Sequence, residues 1–305
     1  MSDSLTLNSS ELGATATDWV ALLKPRVMSL VVFTGAIGLV IAPVHMNPVL
    51  ALTAILCIAV GAGASGAINM WYDRDIDALM KRTASRPVPA GRIEPKAALA
   101  FGVVLAVGSV LLMAVAANLV AAGVLAISIA FYVFVYTMWL KRRTPQNIVI
   151  GGAAGAFPAV IGWAAAAGNI SALPLLLFAI VFFWTPPHFW ALSLYASQDY
   201  ERAGVPMLPV VKGARHTRVC VAVYTLILLP VTLAPYWLGL TGRIYGASAL
   251  VLGLGFVYYS WAVLADSQDA TGKSLTGDKP ARAAFKYSIL YLFLLFGACA
   301  IDRLI

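Results

Sequence analysis

The sequence predicts an all-α fold, a polytopic membrane bundle of about nine transmembrane helices. Three observations carry that expectation. Only 11% of the 305 residues are charged and 61% are hydrophobic, against roughly 25% charged in soluble domains, so soluble folds are excluded. Long uncharged runs alternate with short charged segments, in lengths that fit one or two spans of about 20 residues. The basic residues fall almost entirely in alternate connections.

Taken in order, uncharged runs cover 27–72, 97–140 and 144–198, which are 46, 44 and 55 residues long and each hold two helices. Their internal turns fall at His45-Met46-Asn47-Pro48, Ala117-Asn118 and Gly168-Asn169-Ile170-Ser171, where small, polar or Pro residues interrupt the apolar pattern. The runs 219–242, 244–265 and about 283–301 hold one helix each, the last interrupted only by Lys286, whose stem can snorkel.

Lys24 and Arg26 precede the first span, and the connections after spans two, four, six and eight carry the other basic residues except Arg243 and Arg303. Nineteen of the 21 Lys and Arg therefore share one face, which the positive-inside rule makes cytoplasmic. The N-terminus is expected inside and the C-terminus outside. The net charge of +8 follows from this topology and from anionic headgroups, and calls for no nucleic acid. Residues 1–20 contain Asp3, Glu11 and Asp18 but no Lys or Arg, unlike a secretory signal or a mitochondrial presequence, so a bacterial inner membrane is expected. The chain reads as a cytoplasmic tail, 1–22, followed by one transmembrane domain, 23–305. Cys57, Cys220 and Cys299 stand apart in apolar segments, and no disulfide is expected.

Chemistry enters at Asn69, Asp73 and Asp77, spaced four apart at the end of the second span. That spacing puts three oxygen donors in a column on one helical face, a donor set suited to a hard cation such as Mg²⁺ that also holds phosphate oxygens. Asp75 lies off the column and reads as solvated. A second helix end, with Tyr195 and Asp199 four apart and Val205-Pro206-Met207-Leu208-Pro209 after it, echoes the first with its Arg86-Pro87-Val88-Pro89. Aligning Asp199 with Asp73 gives a parallel repeat offset by 126 residues, with one site between the halves.

These stretches resemble the UbiA superfamily of intramembrane prenyltransferases. The similarity rests on Leu23-Lys24-Pro25-Arg26-Val27, on Asn69 to Asp77 with Arg82-Thr83-Ala84-Ser85-Arg86-Pro87, and on Tyr136 to Asn147. Trp184-Thr185-Pro186-Pro187-His188-Phe189-Trp190 and Gly204-Val205-Pro206-Met207-Leu208-Pro209 resemble its haem-farnesylating branch. The last three spans match in hydropathy only. Superfamily members carry a second Asp-x-x-x-Asp motif after the sixth span, whereas here its first position is Tyr195 and Asp199 alone remains, as in the haem branch.

The resemblance implies a Mg²⁺-dependent transfer of farnesyl from farnesyl diphosphate to a vinyl group of protohaem IX (haem B), making haem O for haem–copper oxidases, with haem B a substrate rather than a cofactor. It also implies membrane lipid around the protein and contact with enzymes that use haem O or form haem A. Asn69, Asp73, Asp77 and Asp199 are then the catalytic, metal-side residues. Arg26, Arg82, Arg86, Lys141, Arg142 and Lys212 are candidates for diphosphate or haem propionates, since forked guanidinium groups suit either anion. Trp71, Tyr72, Tyr136, Trp184 and Tyr195 offer π faces to an allylic cation. His188 is either a haem contact or a buried histidine bonded to a neighbour. Pro186-Pro187 frees carbonyls where a cavity is expected, and Gly151, Gly152 and Gly155 are expected at close helix contacts. A UbiA-type enzyme with another aromatic acceptor, an anion transporter and an oxidase assembly partner are the competing readings.

Overall fold

The computed structural model describes residues 14–270 and 272–305, and the Arg26 side chain lies outside that description. Its first helix, α1 (Ala16–Leu22), is capped reciprocally, with Thr15 N donating to Asp18 and Asp18 N donating to Thr15 Oγ1. Leu22 is fully buried, Trp19 packs edge-on against Phe101, and Arg92 Nε donates to Asp18 at 2.7 Å. Within the segment read as a cytoplasmic tail, 1–22, α1 packs against the bundle; residues 1–13 lie outside the described residues.

The remaining helices follow in order as α2 (Pro25–Val40), α3 (Pro48–Tyr72), α4 (Arg74–Leu79), α5 (Pro95–Ala116), α6 (Leu119–Ala130), α7 (Asn147–Ala167) and α8 (Ala172–Tyr195). Beyond them run α9 (Ser197–Arg202), α10 (Leu208–Val211), α11 (Ala214–Trp237), α12 (Arg243–Leu264) and α13 (Lys279–Leu304). α6 continues without interruption as a π-helix, Phe131–Leu140, which completes its span. Among the described residues there is one isolated bridge, Gln268 with Ser274, and no strand.

The turns have the chemistry the sequence suggested. Asn47 caps α3 ahead of Pro48, where a missing N–H costs nothing, and Gly168 ends α7 in the left-handed conformation at φ 70°. Asn118 caps α6 and also donates to the Ala164 and Ala165 carbonyls, tying that turn to α7. Among the described residues eight helices are long and apolar enough to cross a membrane, and the chain is a multi-pass membrane protein. α2, with 16 residues, spans only about 24 Å at 1.5 Å per residue, and completes a ninth crossing only together with α1.

α7 and α8 pack side by side at the centre. α2, α3, α5 and α6 gather on the α7 side, α11, α12 and α13 on the α8 side, and α13 returns to touch α2. Small residues permit the closest crossing: a methyl group on Gly38 would run into the Ala159 carbonyl, and one on Gly162 into the Gly35 carbonyl. Lipid is as apolar as the helix faces, so such close backbone contact, not hydrophobicity, drives this association. The expected glycine contacts divide. Gly151 lies against the Tyr136 ring and Gly152 against Thr185, whereas Gly155 opens onto a cavity and makes no close contact. Trp139, Trp261 and, at the opposite end, Trp237 stand exposed as interfacial anchors.

The repeat exists in a different register. α3 breaks at Asp73 and resumes as the six-residue α4; α8 breaks at Ala196 and resumes as the six-residue α9. Matching these elements gives an offset of 123 (197 minus 74), not 126, and places Tyr200, not Asp199, opposite Asp77. α8 also runs unbroken through Pro186 and Pro187.

Candidate active site

A cavity of about 530 Å³ lies between the two halves, within the range that small-molecule sites occupy. Asp73 ends α3 with φ −89° and ψ 8°, yet the bonds from Asp73 N to Asn69 O and from Asp77 N to Asp73 O carry the helical register across the break. The column therefore survives: Asn69, Asp73 and Asp77 are all at most 3% exposed, and Asn69 and Asp77 line the cavity.

Cationic side chains surround it. Lys24 Nζ donates to Asn69 Oδ1 at 2.7 Å, Asn69 Nδ2 donates to Asp73 Oδ2 and to Thr137, and Lys141 pairs with Asp73. Arg86 donates to Asp77 Oδ2 at 2.6 Å, and Arg82 donates to the Tyr200 hydroxyl at 3.0 Å. Five cations stand near three carboxylates when Arg82 and Arg142 are counted with Lys24, Arg86 and Lys141 against Asp73, Asp75 and Asp77. That excess suits a polyanion. Lys24 reaches the cavity because its backbone is left-handed, at φ 52° and ψ 55°, a conformation non-glycine residues adopt only where the surroundings impose it.

Asn69, Asp77, Arg82, Arg86, Tyr136, Lys141 and His188 of the expected site line the cavity. Others do not. Asp73 sits behind the wall, both of its oxygens engaged. Arg142 turns outward to a two-pronged pair with Asp75, with both distances at 2.7 Å, and lies over the Tyr72 ring. That guanidinium holds the Asp75 carboxyl below the usual carboxylate range, and Asp75 in turn raises Arg142. Asp199 pairs with Arg202 one turn on, Tyr195 carries the Arg282 guanidinium 4.2 Å over its ring, and Lys212 is exposed at the end of α10. The expected convergence of Asp199 on Asp73 and Asp77 is thus corrected: the six-residue α9 turns Tyr200 inward and Asp199 outward.

Among the described residues no three His, Cys, Asp or Glu side chains form a metal cage. Mg²⁺ needs none, since it keeps waters and binds through one or two carboxylates plus substrate phosphates. The residues present fit it: Asp77 Oδ1 is a buried carboxylate oxygen with no hydrogen-bond partner, on the wall beside Asn69. Asn147 Oδ1 is a second buried, unpartnered oxygen on the same wall. Sequence reading missed Asn147, as it missed Lys24, Thr137 and Tyr200, although Lys24, Thr137 and Asn147 all lie within the motifs quoted above.

Away from the charged rim the wall becomes apolar and aromatic. Tyr132 and Tyr136 project from the π-helical segment, whose wider turn aims both at the cavity. Trp184, His188 and Phe189 come from α8, and Phe285, Ile289 and Leu292 from α13. His188 Nδ1 lies 2.6 Å from Ser288 Oγ on α13, and the Trp184 and Phe285 rings stack on the imidazole.

A helical membrane bundle that encloses an apolar chamber beneath a cationic, carboxylate-lined rim defines an intramembrane enzyme for anion-headed lipid substrates. The chain belongs to the UbiA prenyltransferase family, whose model matches residues 31–299. It is 69% identical to a protoheme IX farnesyltransferase of Acidiphilium cryptum (strain JF-5), over 99% of this chain and 96% of that protein. It is 68% identical to one of Granulibacter bethesdensis (strain ATCC BAA-1260 / CGDNIH1), over 96% and 92%. Among solved structures, a digeranylgeranylglyceryl phosphate synthase aligns with a TM-score of 0.75 at 17% identity, covering 94% of this chain and 98% of its own. A UbiA homologue of Archaeoglobus fulgidus bound to DMAPP and Mg²⁺ aligns at 0.66 and 17%, covering 92% and 99%. At such identities these structures speak for the fold. Family membership identifies a prenyltransferase and leaves the transporter and assembly-partner readings without support.

Proposed function

We propose that this protein transfers farnesyl from farnesyl diphosphate to a vinyl group of protohaem IX, producing haem O. The observation that carries the reading is a single chamber that joins a diphosphate-type rim to an aromatic wall bearing His188, in a chain whose near-full-length relatives are protoheme IX farnesyltransferases.

Lys24, Arg82, Arg86 and Lys141 hold the diphosphate. Asn69, Asp77 and Asn147, with Asp73 behind them, would hold Mg²⁺, which when bound supplies positive charge to the leaving diphosphate oxygens. The allylic carbon–oxygen bond breaks with its electron pair on diphosphate, where fixed cations stabilise the growing charge. The vinyl group attacks the allylic carbon, and water adds to the resulting cation with loss of a proton, leaving a hydroxyethylfarnesyl substituent. Tyr132 and Tyr136 face the allylic cation and the chamber excludes premature water. Asp199, Arg142, Tyr195 and Lys212 act from outside the chamber by supporting the loops that frame it.

Purified protein supplied with farnesyl diphosphate, haem and Mg²⁺ should yield haem enlarged by a farnesyl group and a hydroxyl, read by mass. Chelation should stop the reaction and Mg²⁺ restore it. Prenylation of a different aromatic acceptor, with haem untouched, would sink the proposal.

The protein works in a bacterial inner membrane with its rim at the cytoplasmic face. Reporter fusions at Met46, Gly168 and the C-terminus should then read as external, and fusions at Ala90 as internal. A cytoplasmic signal at the C-terminus would overturn this orientation. Enzymes that consume haem O or convert it to haem A are its expected partners.

A further inference from the structure

We infer that Ser288 fixes His188 as the Nδ1–H tautomer, so that Nε2 is presented to the chamber as the axial ligand of the acceptor porphyrin's iron. This rests on the haem-acceptor reading above.

The proton assignment follows from a count of donors. Ser288 Oγ carries one hydrogen and donates it to the Phe285 carbonyl at 2.7 Å. Toward His188 Nδ1, 2.6 Å away, it has only lone pairs left, so Nδ1 must carry the hydrogen of that bond. Nε2 then holds the ring's lone pair; the hydrogen bond of the imidazole runs through Nδ1, and Nε2 is left open toward the chamber that His188 lines.

The ring is also fixed in orientation. Trp184 stacks at 4.2 Å and 19° on the imidazole, Phe285 at 4.5 Å and 24°, and Phe189 meets it edge-on. Trp184 is itself held by donation from Nε1 to the Ser288 carbonyl at 2.8 Å. With both faces covered and Nδ1 bonded, the Nε2 edge is what His188 offers to the cavity it lines.

A lone pair open to a largely apolar and aromatic chamber is free to accept a Lewis acid that enters with a substrate. Of the two substrates only haem brings a matching acid, an iron whose axial positions accept imidazole nitrogen. A histidine whose second nitrogen donates to a fixed acceptor is the usual arrangement of a metal-ligating imidazole, and such partners set its orientation and basicity. Ser288 and Phe285 come from α13, which gives the last span, where sequence reading found only hydropathy and the family model extends to residue 299, a part in acceptor binding.

The test is haem binding by the full chain in detergent. Ferric haem and iron-free protoporphyrin IX are titrated separately, and electron paramagnetic resonance reads the nitrogen ligand. The wild type should bind haem with an imidazole signature and prefer it over the iron-free porphyrin. His188→Ala should lose signature and preference while farnesyl diphosphate binding persists, and added imidazole should restore the signature. Ser288→Ala should weaken haem binding by about 10–100-fold, the usual effect of losing such a partner, and Ser288→Thr should recover it. Haem bound to His188→Ala with an unchanged signature would overturn the assignment and leave Nε2 as a base for the water addition. A wild type that binds neither porphyrin would overturn the haem-acceptor reading itself.

Discussion

Replacing Asp73 with Asn should lower turnover at least about 10²-fold with the fold intact, the low end for losing a major electrostatic stabiliser. Asp73 does not face the chamber; it is fully buried and accepts from Asn69, Lys141 and Arg142. Removing its charge leaves Lys141 without a counter-ion and frees Asn69 to rotate, so two residues that do line the wall lose their positions together. Product formation at saturating substrates measures the effect, and Mn²⁺ binding followed by paramagnetic resonance gives a readout independent of turnover. Near-normal turnover in Asp73→Asn would remove the column from the mechanism.

Arg218→Met should destabilise the protein by about 3–5 kcal/mol, the usual consequence of stripping one partner from a buried charge cluster. Arg218 is 1% exposed near the start of α11, where it donates to the Gly272 carbonyl at 2.9 Å and pairs with Asp278 at 3.3 Å and Asp266 at 3.6 Å. The substitution keeps bulk but leaves two carboxylates uncompensated. The sign of the pH effect is fixed. Burial already raises Asp278 above its ordinary range, so it favours the folded state at low pH and opposes it as pH rises through the folded value. Without Arg218 the carboxyl rises further, and the deficit should shrink on acidification. Thermal unfolding in detergent at two pH values checks this; a deficit below about 1 kcal/mol, the range of exposed pairs, would show that the cluster is not a structural anchor.

Arg218 also marks where sequence reading stops. By position it counts as one more basic residue at a cytoplasmic span end, which the positive-inside rule explains fully. Only its contacts with Asp266, Gly272 and Asp278 turn it into an anchor. Arg142 errs in the opposite direction: the sequence places it among the anion ligands, yet it is spent on Asp75 outside the chamber. A long side chain at a helix end can swing either way, and its choice depends on partners that are distant in sequence.

What the sequence determined by itself was the membrane class, the spans, their turns and the Asn69-Asp73-Asp77 column. These are local properties. Lipid requires each spanning backbone to satisfy its own hydrogen bonds, so an apolar run of sufficient length becomes a helix whatever surrounds it. Residues four apart then share a face without help from any neighbour. The tertiary structure decided which of those faces look inward. Tyr200 lines the chamber and Asp199 pairs with Arg202 outside it because the bonds from Ala196 N to Leu192 O and from Tyr200 N to Ala196 O carry the rotation of α8 across the one-residue break into α9, and the packing of α8 sets that rotation. His188 acquires its proton assignment from Ser288, 100 positions away, and Asn69 its second acceptor from Thr137, 68 positions away. Such pairings depend on how helices rotate and cross, which small residues such as Gly38 and Gly162 set by close approach, and no spacing within a single helix encodes them.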